Sequence, residues 1–448
     1  MDTNRFATSL QKTTMHKVSI RIVPFAIIAF LISYIDRINI GFAALQMNDD
    51  LAISPAAYGL AGGLFFLAYC FFEVPSNILM EKFGAKIWLT RIMITWGIIS
   101  LLMAFVTGPH SLYLIRVLLG AAEAGLFPGL LLYFTYWFPS EYRARVISLL
   151  FMATPIASII GSPVSAVLLE AEGWLGMHGW QWLFIAEAIP AILLGVFTFF
   201  FVVNKPVNAS WLSTEEKTWL EYKINEESGK NEKHNKKGFL KALLNKNVVI
   251  LSLVYAGSSS IVNGLTLWLP QVIKSFQLSN MYTGMINSLL FLMASLGMVW
   301  WGHHSDRTGE RSWHTSLPLA LAAISLASFT FFSSSLTMAF IVLCITLAAT
   351  YAAKAPFWVL ASKHLSSSSA AVGLAAINAL GNLGGFGGSY MIGLIKGQTG
   401  SFTYALWPLV ILLAISVALV LYLKKRKRVK THPYMTMPLK PPNRGDKP

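Results

Sequence analysis

Seven charged side chains lie inside stretches of sequence that are otherwise apolar, and their chemistry is the first thing to explain. A charged side chain at the centre of a bilayer costs about 2.5–3.5 kcal/mol on insertion scales. Such a residue persists where it pairs with an opposite charge or faces a hydrated cavity. The set holds four acids and three bases, so pairing would neutralise nearly all of it: Asp36, Arg37, Glu73, Arg116, Glu123, Glu187 and Lys354.

Arg116 and Glu123 are seven residues apart, which is two helical turns, so both lie on one helix face about 10 Å apart. That separation excludes a mutual salt bridge, and we expect the two to bracket Asp36 and Arg37 from another helix. Arginine holds carboxylates through its planar fork and stays protonated. A carboxyl group with little hydration and an arginine neighbour can exchange a proton. The alternative is a buried charge network that only locks two helices together.

Other polar residues could contact a bound molecule from the second half of the chain. Lys354 either binds an anion or snorkels toward a helix end. Asn378 and Asn382, four residues apart, could donate hydrogen bonds to hydroxyl or carboxylate oxygens, or simply hold two helices together. Three tyrosines could line a cavity, although packing is the commoner role for any one of them: Tyr34, Tyr69 and Tyr255.

Two of the acids precede prolines, and we interpret both as structural. Glu73 lies before Pro75, and Glu187 lies before Pro190. A proline kink frees backbone groups in a helix, and polar neighbours commonly satisfy them. The alternative is that either acid belongs to a polar network between helices.

The elements that position these residues follow from composition. Of 448 residues, 55% are hydrophobic and 12% are charged, against about 25% charged in soluble proteins. This excludes water-soluble domains and disorder, and it predicts an all-α polytopic membrane protein, since the apolar runs are too long and continuous for barrel strands. Twelve runs are long enough to span a bilayer: 20–45, 56–80, 88–107, 111–135, 144–168, 181–203, 246–270, 281–303, 314–333, 337–362, 369–396 and 404–424.

The chain divides into two halves of six spans. A long polar segment, 204–245, separates residues 1–203 from 246–424, and a basic tail occupies 425–448. With both termini on one side, segments on that side hold 30 of the 35 Lys and Arg residues, the opposite loops hold two, and three lie within spans. The positive-inside rule therefore predicts cytoplasmic termini.

An internal repeat supports this division. The loops Glu81–Lys86 and Asp306–Arg311 share an acid, a base, a glycine and a second base at an offset of 225 residues. An offset near half the chain length indicates duplication of a six-helix unit. The predicted fold is thus two pseudo-symmetric six-helix halves.

Several segments resemble a known family. The loop Gly302–Arg311 resembles the signature loop of the major facilitator superfamily, and the first copy is a degenerate version of it. Ser33–Ala43 and Arg116–Gly129 resemble the anion:cation symporter family within that superfamily. Three further stretches are similar to its branch of tartrate and aromatic-acid (phthalate, hydroxyphenylacetate) permeases: Phe72–Asn77, Gly179–Phe184 and Gly381–Phe386.

The resemblance implies a secondary transporter that imports a small organic anion by proton symport. Tartrate-like hydroxy or sugar acids and aromatic carboxylates are the implied substrates. It assigns proton coupling to Asp36 and Glu123 and anion contact to Arg37 and Arg116. It also implies a bacterial inner (plasma) membrane, a monomer, no catalytic residue, and no cofactor beyond the coupling protons.

Membrane voltage limits the stoichiometry. Moving one negative charge inward against 100 mV costs about 2.3 kcal/mol, which one proton cancels. A dianion needs two protons for neutrality and a third to use the voltage. Two obvious carriers, Asp36 and Glu123, therefore favour a monoanion.

The repeated loops are candidates for gating. We expect their charges to form salt bridges that hold an outward-open state and break on inward opening, or else only to anchor the helix ends. The residues concerned are Glu81, Lys82, Gly84, Asp306, Arg307, Gly309 and Arg311.

Other functions have weaker support. A proton-driven exporter of drugs or organic ions predicts acids without cationic partners, and a sensor that binds without transporting stays open as an alternative. A membrane enzyme would need a nucleophile and base within the spans. His303 and His304 lack metal-site spacing, and Lys424–Arg428 indicates a lipid-facing anchor rather than nucleic-acid binding. We expect no cleaved signal peptide.

Overall fold

The computed structural model describes the backbone of residues 2–228, 244–365 and 370–431, and the side chains of 9–227, 244–365 and 372–426. Residues 229–243 of the predicted linker and 432–448 of the predicted tail lie outside these ranges.

Every regular element in the described ranges is helical. The α-helices are Asp2–Asp50, Pro55–Phe83, Ala85–Leu102, Pro109–Glu123, Leu126–Trp137, Ser140–Leu169, Gly179–Phe201, Thr214–Ser228, Lys246–Ser259, Thr266–Lys274, Asn280–Thr308, Ser312–Phe332, Leu336–Lys363, Ala370–Thr399, Phe402–Ala405 and Trp407–Thr431, with a π-helix at Ser260–Leu265 and short 3-10 turns at Met103–Phe105, Trp174–Gly176 and Pro206–Asn208.

The predicted spans correspond to helices of membrane length. Eleven segments are long and apolar enough to cross a bilayer, among them Pro109–Trp137 as the fourth span and Lys246–Lys274 as the seventh. The eleventh span, Ala370–Thr399, is 30 residues long but carries eight glycines, which lower its hydropathy. The all-α prediction of two six-helix halves is confirmed. The polar helix Thr214–Ser228 lies in the predicted linker.

Each of the repeated loops ends its helix at a glycine with a positive φ, although only Gly309 is in the left-handed helical conformation. Gly84 closes Pro55–Phe83 with φ +84°, and Gly309 closes Asn280–Thr308 with φ +68°. Positive φ values carry little penalty only for glycine, so a glycine at this point stops a helix cleanly. Because these glycines are 225 residues apart, their equivalent positions at the helix ends agree with duplication of one six-helix unit.

The fourth span is broken rather than continuous over 111–135. Pro109–Glu123 ends and Leu126–Trp137 begins around Gly125, whose φ is +93°. A β-carbon on Gly125 would lie 2.2 Å from the Oγ of Ser76 in the second span. The break therefore needs glycine for its backbone angle and for its close approach to the second span, and it places Glu123 at a helix end.

The two halves pack tightly at the end of the bundle where the first span stops and the second starts. Asn287 Nδ2 donates to Ser162 Oγ at 2.7 Å between the eighth and fifth spans. The Tyr58 hydroxyl donates to the Leu267 carbonyl at 3.0 Å between the second and seventh. Gly59 faces Gly393 of the eleventh span so closely that an added β-carbon would lie 3.0 Å from the Gly393 Cα.

Candidate functional site

A cavity lies between the two halves. Two cationic side chains, Arg37 and Arg116, line it from the first half. Its remaining wall is aromatic, aliphatic or neutral and polar, and it comes from both halves: Tyr34, Ile38, Phe65, Phe66, Ser158, Val262, Asn263, Thr266, Leu267 and Tyr351. No acidic side chain appears in this lining among the described residues.

Arg37 of the first span meets Glu123 of the fourth. Its Nη2 lies 2.7 Å from Glu123 Oε1, and its Nε donates to the same oxygen at 2.7 Å. Ser33 Oγ also donates to Oε1, at 2.5 Å. Glu123 Oε2 is buried and has no hydrogen-bond partner within the described part of the chain. Three donor atoms thus converge on Glu123 Oε1, whereas no described donor contacts Glu123 Oε2.

Asp36 points away from the cavity. It accepts hydrogen bonds from Trp96 Nε1 at 2.8 Å and from Ser100 Oγ, both on the third span, and from Asn39 Nδ2 at 3.3 Å. The side chain is 2% exposed. Adjacent helix positions diverge by about 100°, which explains why Asp36 and Arg37 contact different neighbours.

Arg116 has no acidic partner. Among the described side chains, no carboxylate oxygen lies within 4 Å of its guanidinium, although the residue is only 2% exposed. Its Nε donates to the Ala61 carbonyl at 3.4 Å, and its guanidinium carbon lies 4.7 Å from the centroid of the Phe65 ring. A cation held by one carbonyl and one ring face still has donors available for an anion.

Aromatic rings surround the other cavity arginine. The guanidinium carbon of Arg37 lies 5.1 Å from the ring centroid of Tyr34 and 4.8 Å from that of Tyr69. Tyr255 lies elsewhere, with its ring 5.5 Å from Phe357 and 5.0 Å from Trp358 by centroid. Two of the three predicted tyrosines therefore contact the charged cluster, and Tyr255 packs in the second half.

The candidates in the second half are divided between the cavity and the packing of the spans. Lys354 Nζ lies 4.5 Å from the ring centroid of Tyr351, which lines the cavity, and no described acid lies within 4 Å of it. Asn378 Nδ2 donates to Glu73 Oε1 of the second span at 2.9 Å. Asn382 is half-buried one turn further along the same helix.

Among the described residues, only the second of the two repeated loops forms an ion pair within itself. Arg311 Nη1 lies 2.8 Å from Asp306 Oδ1 and donates to Ser305 Oγ at 2.8 Å. Glu81 and Lys82 are exposed, and no ion pair among the described residues joins one repeated loop to the other. The gating salt bridges proposed for an outward-open state stay a prediction.

Sequence reasoning missed several residues of this site. Trp96 and Ser100 hold Asp36, but a tryptophan and a serine are ordinary in apolar helices and carried no signal. Arg91, an intramembrane base of the third span that lies outside the cavity lining, was also missed; it donates to the Ala122 carbonyl at 3.5 Å. Asn263 lies in the π-helix of the seventh span, and π-turns often mark functional sites.

Two six-helix halves around a cationic cavity define a membrane transporter of small molecules. The family model of the Major Facilitator Superfamily matches residues 26–389. The chain therefore belongs to the major facilitator superfamily, as the resemblance implied, and it is an integral membrane protein.

The most informative relatives are full-length transporters. Two proteins of Agrobacterium vitis named "Putative tartrate transporter" are 46% and 44% identical over 93% of this chain and over 92% and 96% of their own lengths. A "Quinolone resistance transporter" of Acinetobacter baumannii is 38% identical over 94% of this chain and 98% of its own.

Solved structures share the fold. A bacterial homologue of the human lysosomal transporter Spinster, inward-facing and unoccupied, superposes with a TM-score of 0.76 at 17% identity, covering 92% of this chain and 98% of its own. A D-xylose-proton symporter superposes with a TM-score of 0.72 at 16% identity, covering 91% and 97%.

Proposed function

We propose that this protein imports a small organic anion together with protons, by alternating access between its two halves. The observation that carries the proposal is Arg116, a buried guanidinium at the cavity wall without a carboxylate partner in the described side chains. An unpaired buried charge is costly, and the planar fork of arginine fits a carboxylate. Tartrate-like hydroxy or sugar acids are the first substrate class, because two relatives carry that name, and aromatic carboxylates are the second.

The Arg37–Glu123 pair supplies a mechanism for coupling. A substrate carboxylate and Glu123 compete for the same guanidinium, whose donors now converge on Glu123 Oε1. Protonation of Glu123 weakens its hold on Arg37 and frees donors for the substrate. Proton binding and anion binding therefore favour each other, which is the thermodynamic requirement for symport.

Asp36 is the second proposed proton carrier. It lies behind the cavity and is coupled to it through its neighbour Arg37 on the same helix. Substrate contact is proposed for six further residues, with Asn378 available only after its bond to Glu73 is released: Tyr34, Tyr69, Tyr255, Lys354, Asn378 and Asn382.

The packing of the halves supports alternating access. Contacts such as Asn287–Ser162 and Tyr58–Leu267 close the end of the bundle where the first span stops. With both termini in the cytoplasm, as proposed from the positive-inside rule, the closed end is the outer one and this conformation faces inward. We also propose a monomer in a bacterial inner membrane that needs no cofactor besides its protons.

Uptake into proteoliposomes under an imposed pH gradient tests this function. The native protein should accumulate an organic acid, with tartrate as the first to be tried, when the outside is acidic. Glu123→Gln should abolish accumulation and still exchange external for internal substrate, because a fixed neutral side chain leaves binding but removes the proton. Undiminished accumulation by Glu123→Gln would remove that residue as the coupler.

Export of drugs is the second candidate, favoured by the quinolone-resistance relative. An exporter of cationic drugs needs uncompensated acids in its cavity, whereas the described lining holds two arginines and no acid. A susceptibility assay with the expressed gene separates the two: resistance to quinolones without organic-acid uptake would favour export.

A further inference from the structure

The proposed mechanism does not use Glu73, a buried acid of the second span that contacts the eleventh span. Glu73 is 4% exposed and lies on the face of the second span that packs against the other half. Eighteen residues, about 27 Å of helix, separate it from Pro55 at the closed end. It thus lies well beyond the contacts that close that end.

The hydrogen bonding of Glu73 is incomplete in a particular way. Its Oε1 accepts from Asn378 Nδ2 at 2.9 Å across the interface between the halves. Its Oε2 is buried and has no hydrogen-bond partner among the described residues. An ionised carboxylate here would leave a charged oxygen unsolvated, which is costly, whereas a protonated carboxyl group places its neutral O–H there.

In the described part of the chain, no cationic nitrogen lies within 4 Å of the Glu73 carboxyl group. The titratable groups that face Glu73 are Tyr69 and Cys70 of its own span, Arg37 of the first span and Tyr255 of the seventh. Arg37 is engaged with Glu123, the acid that the fourth span contributes. The third span contributes Arg91, which is bonded to a carbonyl in the fourth, and the eleventh faces Glu73 with the neutral Asn378.

We propose that Glu73 is a third proton-carrying carboxyl group of the transport cycle, whose protonated form holds the second and eleventh spans together through Asn378. Loss of the proton leaves a charge that the closed contact cannot solvate, so it drives these two spans apart at this level. With three proton carriers, a dianion moves inward together with three protons. The charge moved is then net positive, so the inside-negative membrane voltage assists uptake. This inference rests on the proposed proton symport and narrows its substrate to dianions.

The proton-to-substrate ratio tests the inference. Proteoliposomes carrying the native protein should take up tartrate with three protons per dianion, measured from the pH gradient that just stops net flux. Glu73→Gln keeps an acceptor for Asn378 but cannot ionise, so its ratio should fall to two. Glu187→Gln is the matched control: Glu187 is also a buried acid before a proline with one oxygen that lacks a partner among the described residues, but its partner Ser165 is in the same half, so its protonation holds no contact between the halves. Its ratio should stay at three.

The outcomes are distinguishable. Tartrate uptake by the native protein that no proton gradient drives would overturn the proposed symport itself. Coupled uptake with the same ratio in Glu73→Gln as in the native protein would overturn only the role of Glu73.

A native cysteine provides a second measurement that needs no transport. Cys70 Sγ donates to the Ala379 carbonyl at 3.2 Å across the same interface, and the chain contains one other cysteine, Cys344. In a Cys344→Ala background, labelling of Cys70 by N-ethylmaleimide should rise more steeply with pH than in the same background carrying Glu73→Gln. The negative charge of ionised Glu73 disfavours the neighbouring thiolate and so opposes labelling. A steeper rise therefore reports opening of the contact, and an equal or shallower slope would show that no proton on Glu73 controls it.

Discussion

At the scale of single residues, the two arginines of the cavity have different partners, and the sequence alone did not predict this difference. Arg37 is bound by Glu123, whereas Arg116 meets only a carbonyl and a ring face in the described structure. In the proposed symport, Arg37 therefore exchanges between the protein's own acid and a substrate, and Arg116 is the standing site for negative charge. Under that proposal, this difference in partners gives one arginine to coupling and the other to affinity.

Replacing Arg116 by lysine should weaken anion binding. A lysine keeps the charge but lacks the planar fork that holds a carboxylate by two hydrogen bonds. Losing one charge-assisted hydrogen bond costs about 1.5–3 kcal/mol, roughly a tenfold or greater rise in Kd. Titration of purified protein with tartrate, followed by thermal shift, measures the effect.

The control for this prediction is Arg91→Lys, which changes another intramembrane arginine outside the cavity lining. Its Kd for tartrate should match that of the native protein. An unaltered Kd for Arg116→Lys would remove Arg116 from the site.

At the scale of the elements, the break in the fourth span positions the acid of the charged cluster. Glu123 is the last residue of Pro109–Glu123, and Gly125 turns the chain before Leu126–Trp137 begins. The neighbouring second span touches Gly125 through Ser76. One glycine thus fixes the helix end from which Glu123 reaches Arg37.

Gly125→Ala should destabilise the protein. A left-handed backbone costs a non-glycine residue about 1–2 kcal/mol, and the added methyl group would collide with Ser76 Oγ at 2.2 Å. We expect a clearly lower Tm in detergent and reduced transport. Gly387→Ala in the eleventh span is the matched control, since no described atom lies within 4 Å of an added β-carbon there. Equal Tm values for the two variants would contradict this account of the break.

Hydropathy and charge in the sequence predicted the membrane-spanning helices well, but they did not predict where a span is broken. The spans follow from composition because each must bury about 20 apolar residues in lipid. The meeting of Arg37 with Glu123 was foreseeable because unpaired charges are costly there. The break at Gly125, the donors Trp96 and Ser100, and the bond between Glu73 and Asn378 depend on packing between distant segments, which leaves no local pattern in the sequence.

At the scale of the whole molecule, transport requires the closed end of the bundle to open. The fifth and eighth spans meet there through Ser162 and Asn287, whose polar atoms are 2.7 Å apart. Small residues such as Gly59 and Gly393 bring the second and eleventh spans into equally close contact. These contacts close the bundle at this end through neutral side chains and glycines, and alternating access requires them to separate.

A disulfide across this end should stop transport reversibly. In a background without Cys70 and Cys344, the pair Ser162→Cys and Asn287→Cys should oxidise readily, because the native side chains already touch. Uptake should disappear on oxidation and return on reduction, while each single variant keeps its activity. Continued uptake with the disulfide fully formed would show that this interface does not open.

The most direct test of proton-coupled anion import follows the proton itself. Tartrate is added outside proteoliposomes that contain a pH-sensitive dye and start without any pH gradient. The account predicts that the interior of vesicles with native protein becomes acidic as tartrate enters, and that Glu123→Gln vesicles show no such change. Tartrate entry by the native protein with no acidification of the interior would contradict it.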